Sequence, residues 1–327
     1  MSTEHDGRSR APRTPPGHGM QAQPPPDQDR PPLDTDTEWQ AWTPGRYQLA
    51  EGLRLHDDIM VFVDLLRGAL YRCPDRAGKT AERLLRLDVP LGAVAPLAGS
   101  PGDWIVAAGP GIALALRGRS LEWLARPEES AAAPMRMNDA ACDPAGRFWV
   151  TSMARTGTGA VGSLYRVDPD RRVHRVLPGL TVPNGPAFSA RGNLMYLADS
   201  AERIIRRFTV DPDTGTLGAH ETFARLAPTE GRPDGMIVDN AGHLWVALWG
   251  GAEVRRYAPD GSVSARLRLP TPNPSSVAFG HGRMYVSTAR HRLECPDPLA
   301  GAVLTCRTPW SAPAAQTFRP ESAQHSA

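Results

Sequence analysis

The sequence predicts an all-β fold, a six-bladed β-propeller with four strands in each blade, and three observations lead to this prediction. A turn ending in Gly or Asp and followed by an apolar strand occurs six times. The turns are 44, 44, 46, 50 and 40 residues apart, and a period of about 45 residues is typical of four-stranded blades. Segments such as 203–208 alternate in polarity, as strands with one packed face do. The turns are marked by Asp58, Gly102, Gly146, Gly192, Gly242 and Gly282.

Within each repeat the same series of elements follows the turn. A first apolar strand leads to a second strand, as at 162–167, and then to a Pro and Gly turn such as 258–261. Proline presets φ and glycine accepts the left-handed conformation, which short β connections need. A third strand such as 263–269 then leads to the next blade. Segment 77–87 has a helix-favouring composition, but the register of the repeat predicts a strand and its turn there.

The repeat divides the chain into three parts. The first 32 residues contain eight prolines and hardly any large apolar side chain, so they bury too little surface to offset the entropy of ordering. We therefore expect a disordered Pro-rich tail at 1–40, the propeller at 41–312, and a flexible C-terminal tail at 313–327.

Composition and motifs exclude several classes of function. The net charge of +2 gives no electrostatic reason to expect a nucleic acid or a membrane surface as partner. No signal-peptide core and no run of 18 apolar residues occurs, so we expect a cytoplasmic protein, as a monomer or a weak homo-oligomer. The four cysteines have no zinc spacing, and only Cys295 and Cys306 are candidates for a disulfide. Motifs of serine hydrolases, zinc proteases and nucleotide-binding loops are absent.

One position just upstream of each turn, here called the axial position, carries chemically unlike residues in the six blades, five residue types in all. In a closed ring this position faces the central axis in every blade, so unlike residues there indicate a site built from several blades. Asn-Gly and Asp-Gly are also ordinary turn formers. Their fixed offset from an apolar segment places them instead at the start of an inner strand. The axial residues are Glu51, Gly92, Asn138, Asn184, Asp234 and Ser275.

The polar axial residues predict a metal site. The carboxylates of Glu51 and Asp234 and the amide of Asn184 would repel one another and stay poorly solvated unless a cation lay between them. Oxygen ligands of this kind favour one divalent hard cation, Ca²⁺ first, with Mg²⁺, Mn²⁺ or Zn²⁺ as alternatives.

Three motifs carry a resemblance to a known family. They are Arg136-Met-Asn-Asp with its following turn, Val-Pro-Asn184-Gly, and Pro-Asp234-Gly with the segment to residue 247. In combination they resemble the regucalcin, gluconolactonase and luciferin-regenerating enzyme family over roughly residues 47–295. That family consists of six-bladed propellers with one divalent cation on the axis, and many members hydrolyse sugar lactones. The resemblance implies a small-molecule lactone as substrate.

The resemblance also implies roles for individual residues. Glu51, Asn184 and Asp234 would bind the metal, Arg136 and Asn138 would hold the substrate, and Asp234 would double as the acid/base group. Arg136 enters through the resemblance alone, whereas the other four residues also occupy axial positions.

The sequence departs from the family pattern at two places. It reads Glu51-Gly-Leu-Arg-Leu where the family usually has an aromatic residue, and it has Arg155 and Thr156 where some members carry a carboxylate. The substrate pocket therefore does not match that of the sugar lactonases closely, and we expect a sugar lactone or a related small cyclic ester as substrate. Three functions stay open at this point: a metal-dependent lactonase, a propeller that binds a cation or small ligand without turnover, and a propeller for protein interaction.

Overall fold

The computed structural model describes Met1 and residues 37–321, so most of the predicted tail at 1–40 lies outside the described residues. Residues 37–321 form six antiparallel sheets of four strands each, which confirms the predicted six-bladed propeller. Neighbouring innermost strands contact one another around the whole ring. None of the described residues belongs to a helix long and apolar enough to cross a membrane.

The strands follow the chain from the centre of each blade outwards. The first strand of the described residues is β1 (Gln40–Ala41). Blade one contains β2 (Ala50–His56), β3 (Ile59–Asp64), a 3-10 turn (Leu65–Arg67), β4 (Ala69–Arg72) and β5 (Glu82–Arg86), and blade two contains β6 (Leu91–Pro96), β7 (Trp104–Ala108), β8 (Gly111–Ala115) and β9 (Glu122–Ala125). Blade three contains β10 (Met135–Cys142), β11 (Phe148–Ala154), β12 (Gly162–Val167) and β13 (Val173–Leu180), and blade four contains β14 (Pro183–Phe188), β15 (Leu194–Asp199), β16 (Ile204–Val210) and β17 (Leu217–Arg225). Blade five contains β18 (Arg232–Val238), β19 (Leu244–Trp249), β20 (Glu253–Tyr257) and β21 (Val263–Arg268), and blade six contains β22 (Pro274–Gly280), β23 (Arg283–Thr288) and β24 (Val303–Arg307) together with β1. The strand β5 confirms that the helix-favouring segment 77–87 is a turn and a strand.

Blade six closes the ring with both ends of the propeller chain. Strand β1 pairs with β24 and places Gln40 opposite Thr305. The ring of Trp42 packs edge-on against Tyr285 at 5.4 Å between centroids. The propeller therefore begins at residue 40, one residue before the predicted boundary.

The repeated turn has a structural cause, which is clearest in blades three and five. The Asp143 carboxylate accepts hydrogen bonds from the Arg147 amide at 3.0 Å and the Trp149 indole at 2.9 Å. Asp239 does the same for the His243 amide at 2.9 Å and the indole of the fully buried Trp245 at 3.0 Å. In these two blades one aspartate thus ties the turn to a buried tryptophan, the second residue of the following strand, which accounts for the Asp and Trp that recur in both repeats.

The C-terminal segment packs on the propeller as far as it is described. Phe318 is fully buried in the core between blades two and three. Its amide donates to the Pro96 carbonyl, and its own carbonyl accepts from the Ala98 amide, both at 2.9 Å. The expectation of a flexible tail from residue 313 is therefore not met by 313–321, because one aromatic side chain holds the segment in place. Residues 322–327 lie outside the described residues.

The four cysteines are free thiols. Cys295 is exposed, whereas Cys306 is buried, so the candidate disulfide between them is not formed. Burial raises the pKa of Cys306 to about 11 and that of Cys73 to about 12. These buried thiols stay protonated at neutral pH and are poor nucleophiles.

Candidate functional site

The axial residues lie where the innermost strands are irregular. In all six blades the pairing between the first and second strands shifts register at this position. A bulge of this kind re-aims a side chain. Gly52 and Gly185 follow two of the axial residues with φ of 60° and 87°, a conformation that favours glycine. The polar-Gly dipeptides are therefore parts of bulges that direct the preceding side chain towards the axis.

Four of the six axial side chains line one cavity of about 440 Å³: Glu51, Asn138, Asn184 and Asp234. Blade two contributes none, because a Cβ at Gly92 would lie 2.1 Å from the Asn138 carbonyl oxygen. In blade six the Ser275 hydroxyl donates to the carbonyl of Ala50 and does not line the cavity. The structure thus brings together the five residues predicted for the site, since Arg136 lines the same cavity.

Two buried carboxylates lie close together at this cavity. Burial raises the pKa of Glu51 well above its usual value, and the negative charges of Asp234 and Asp139 raise it further. Burial likewise raises the pKa of Asp234, and the charge of Asp139 adds to this shift. The positive charge of Arg136 lowers the pKa of both groups. Asp234 Oδ1 is buried and has no hydrogen-bond partner among the described residues.

A chain of hydrogen bonds links blades three, four and five around the axis. Arg136 donates to Asn138 Oδ1, and Asn138 Nδ2 donates to Asn184 Oδ1 at 2.9 Å and to the carbonyl of Pro183 at 2.7 Å. Asn184 Nδ2 then donates to the Ser200 hydroxyl at 2.8 Å, and that hydroxyl donates to a carbonyl of blade five. The chain orients Asn184 Oδ1 and leaves it a second lone pair for a ligand.

Asp139 is a buried carboxylate that the sequence analysis missed. It accepts hydrogen bonds from the amides of Gly185 at 2.9 Å and Ala140 at 2.8 Å, and it lies 3.5 Å from the Arg54 guanidinium. Burial raises its pKa and Arg54 lowers it. Its bond to Gly185 fixes the bulge that carries Asn184. The one feature of the sequence that could have indicated this residue is its position next to the axial residue Asn138.

The wall and mouth of the cavity consist of residues that the sequence analysis did not assign to the site. The apolar wall includes Trp249, an aromatic side chain from blade five. The mouth is basic, and Arg155 lies in it. The other lining residues are Leu49, Leu66, Pro90, Met153, Gly157, Val182, Ser200, Arg232, His291 and Arg292.

The donor atoms fit a hard divalent cation. The residues described contain no cluster of three or more His, Cys, Asp and Glu side chains able to hold a metal ion. The site instead combines two carboxylates, Glu51 and Asp234, with the amide oxygen of Asn184, an all-oxygen set of the kind that Ca²⁺ takes. The unpartnered Asp234 Oδ1 is the observation that supports this fit, because a buried carboxylate oxygen without a donor is costly.

Comparison with known proteins gives a family match and several relatives. Residues 49–290 match the SMP-30/Gluconolactonase/LRE-like region. A pentonolactonase of Haloferax volcanii is 40% identical over 48% of this chain and 54% of its own length. An L-arabinolactonase of Azospirillum brasilense is 42% identical over 54% of this chain and 61% of its own length. A 6-deoxy-6-sulfogluconolactonase of Pseudomonas putida is 33% identical over 77% of this chain and 88% of its own length.

Solved structures of similar proteins have the same architecture. The calcium-binding protein regucalcin from Agrobacterium tumefaciens superposes with a TM-score of 0.79 at 25% identity, covering 86% of this chain and 98% of the other. A luciferin-regenerating enzyme gives a TM-score of 0.77 at 25% identity, covering 84% and 96% of the two chains.

Proposed function

The chain belongs to the SMP-30/Gluconolactonase/LRE-like family, and from this premise we propose that it hydrolyses a lactone at the axial cavity, with a divalent cation as cofactor. The observation that carries the proposal is the buried, unpartnered Asp234 Oδ1 beside Glu51. A cavity of about 440 Å³ has the size of small-molecule sites in proteins. The names of three relatives, a pentonolactonase, an arabinolactonase and a sulfogluconolactonase, support a sugar lactone as the substrate class.

Glu51, Asn184 and Asp234 would hold the cation, with Ca²⁺ favoured by the oxygen donors and Mg²⁺, Mn²⁺ or Zn²⁺ as alternatives. When bound, such an ion polarises a carbonyl group and stabilises negative charge on its oxygen. The hydrogen bond from Asn138 keeps Asn184 Oδ1 in the orientation that a ligand needs.

Asp234 is the proposed acid/base residue. Its carboxylate lines the cavity, so an oxygen that does not bind the cation can accept a proton from the water that attacks the lactone carbonyl. The water oxygen forms a bond to the carbonyl carbon, and the bond from that carbon to the ring oxygen breaks. Asp234 then returns the proton to the ring oxygen, and the product is an open hydroxy acid. No covalent bond to the protein forms.

Arg136 and Asn138 are the proposed substrate-binding residues. Arg136 lines the cavity, and burial lowers its pKa to about 10, which leaves it charged at neutral pH. It can donate to a hydroxyl or carboxylate of the substrate while it holds Asn138. These contacts would orient the lactone, and orientation of reacting groups is a large part of catalysis. The protein would act on a small molecule in the cytoplasm, as a monomer or a weak homo-oligomer.

The experiment is acid release from a panel of five- and six-membered lactones, followed at constant pH. The protein is first stripped with a chelator, and Ca²⁺, Mg²⁺, Mn²⁺ or Zn²⁺ is then added back. We expect hydrolysis of at least one lactone, dependence on an added cation, and loss of activity in Asp234→Ala. Asp213→Ala, which changes an exposed aspartate in an outer turn of blade four, is the matched control and should keep full activity. A protein that binds the cation and hydrolyses none of the lactones would be a non-catalytic binding propeller.

A further inference from the structure

We propose that the substrate carries an anionic group, a phosphate, sulfonate or second carboxylate, at the end remote from the lactone ring. The group would bind to the arginine rim, defined here as Arg155, Arg203, Arg232 and Arg292. The inference rests on the proposed function, because it names the chemical class of the ligand in the same cavity.

The rim collects positive charge from four blades. Arg155 follows β11 in blade three, Arg203 precedes β16 in blade four, Arg232 begins β18 in blade five, and Arg292 follows β23 in blade six. Three of them line the axial cavity itself. Arg203 lines a neighbouring groove of about 340 Å³ that shares Arg232 and Arg292 with the cavity. The groove and the cavity therefore meet at two arginines.

Within residues 37–321, these arginines have no acidic counterpart. Arg155, Arg232 and Arg292 form no ion pair with any described carboxylate. Two carboxylates close to these arginines along the chain are engaged elsewhere, since Glu202 pairs with Arg206 and Glu230 pairs with Arg255 at 2.9 Å. At the floor of the cavity, a bound cation would neutralise Glu51 and Asp234. The charge of the rim would then be left without compensation within the described part of the chain.

A second observation points to a ligand in the groove. Arg203 Nε is buried and has no hydrogen-bond partner among the described residues. Arg203 also has a φ of 55°, a left-handed conformation that few non-glycine residues adopt. The groove contains a further donor, the hydroxyl of Thr229. A buried donor and a hydroxyl beside two unpaired arginines can surround an oxyanion.

The chemistry of arginine selects the ligand class. The guanidinium group is planar and presents paired donors that match carboxylate and phosphate oxygens. A cleft lined by one sign of charge also concentrates field lines and attracts ligands of the opposite charge. Trp249 lines both the cavity and the groove, so the carbon chain between the lactone ring and the anionic group would lie against its ring.

The test measures binding of ring-opened products by calorimetry and needs no turnover. Gluconate, gluconate 6-phosphate and glucarate differ only in the group remote from the reacting carboxylate. We expect the phosphate or the second carboxylate to bind on the order of tenfold more tightly than neutral-ended gluconate. The double change of Arg232→Gln with Arg292→Gln should abolish most of that preference. Because both side chains are exposed, the variant should fold, and its melting temperature checks this.

The matched control is Arg83→Gln, which changes an exposed arginine on the outermost strand of blade one. It should keep the full preference. Equal affinity for all three ligands, failure of the anionic ligands to bind, or an equal loss of preference in Arg83→Gln would overturn the inference. Lactone hydrolysis without a preference for an anionic end would leave the proposed function in place and remove only the arginine rim from it.

Discussion

Among individual residues, Asn138 and Asp234 line the same cavity but differ in how many of their polar atoms have hydrogen-bond partners. Asn138 uses both amide donors and accepts from Arg136, so its hydrogen bonds serve its neighbours. Asp234 has a buried oxygen with no partner. We therefore propose that Asn138, besides binding the substrate, fixes the position of Asn184, whereas Asp234 would contact the ligand and the reacting water.

This contrast leads to different expectations for two variants. Arg136→Ala should keep the cation and lose catalytic efficiency on the order of 10²-fold, because a positioning contact is removed. Asn138→Ala should also bind the cation about 10–100-fold more weakly, since residues that orient a ligand typically have such effects. Calorimetric titration with Ca²⁺ and measurement of kcat/KM separate the two. Loss of the cation in Arg136→Ala, or unchanged Ca²⁺ affinity in Asn138→Ala, would contradict this assignment.

Individual residues also show where sequence reasoning works. Glu51, Asn138, Asn184 and Asp234 were found because a repeat places equivalent positions on one axis. The rim arginines were not assigned to the site, because arginines occur in every blade and only the fold shows which ones meet. Trp249 was missed for the same reason, since it ends a strand that reads as ordinary core.

At the level of strands, the residue at the bulge of each innermost strand decides whether that blade contributes an axial side chain to the cavity. Blade two contributes no axial side chain, because its axial residue is Gly92. At Gly92 an added Cβ would lie 2.1 Å from the Asn138 carbonyl oxygen. The glycine at this axial position is thus required by the close approach of two backbones. The sequence showed the glycine but not the neighbouring strand that requires it.

The close approach predicts the effect of a small substitution. Gly92→Ala should lower the free energy of unfolding by about 1–3 kcal/mol, because backbone atoms must move to accept the methyl group. The control is Gly218→Ala in β17, where the added methyl group meets the Thr209 hydroxyl, a side chain that can rotate. Denaturant unfolding of both variants measures the difference. Equal stability of the two variants would show that β6 and β10 do not approach as described.

For the molecule as a whole, closure of the ring depends on the first residues of the described segment 37–321. Strand β1 completes blade six, and Trp42 donates from its indole to the Pro74 carbonyl in blade one at 2.8 Å. The number of blades followed from the period of the repeat alone. The source of the closing strand did not, because two residues carry no periodic pattern. The packing of Phe318 was missed for a similar reason, since a single aromatic residue follows no repeat.

Two truncations test the role of the closing strand. A chain that begins at residue 37 keeps every described strand and should melt at the same temperature as the full chain. A chain that begins at residue 43 lacks β1 and Trp42 and should lose about 3–5 kcal/mol of stability, the usual cost of removing a buried Trp side chain. Thermal unfolding followed by circular dichroism compares them. A large loss in the first chain would show that the closing segment extends further towards the N-terminus.

The metal content of the protein is the sharpest test of whether Glu51, Asn184 and Asp234 hold one cation on the axis. Native mass spectrometry of the protein loaded with Ca²⁺ should show about one ion per chain in the wild type and none in Asp234→Ala. Chelation should also lower the melting temperature of the wild type, because a ligand that binds only the folded state stabilises it. Equal metal content in the two proteins would contradict the account.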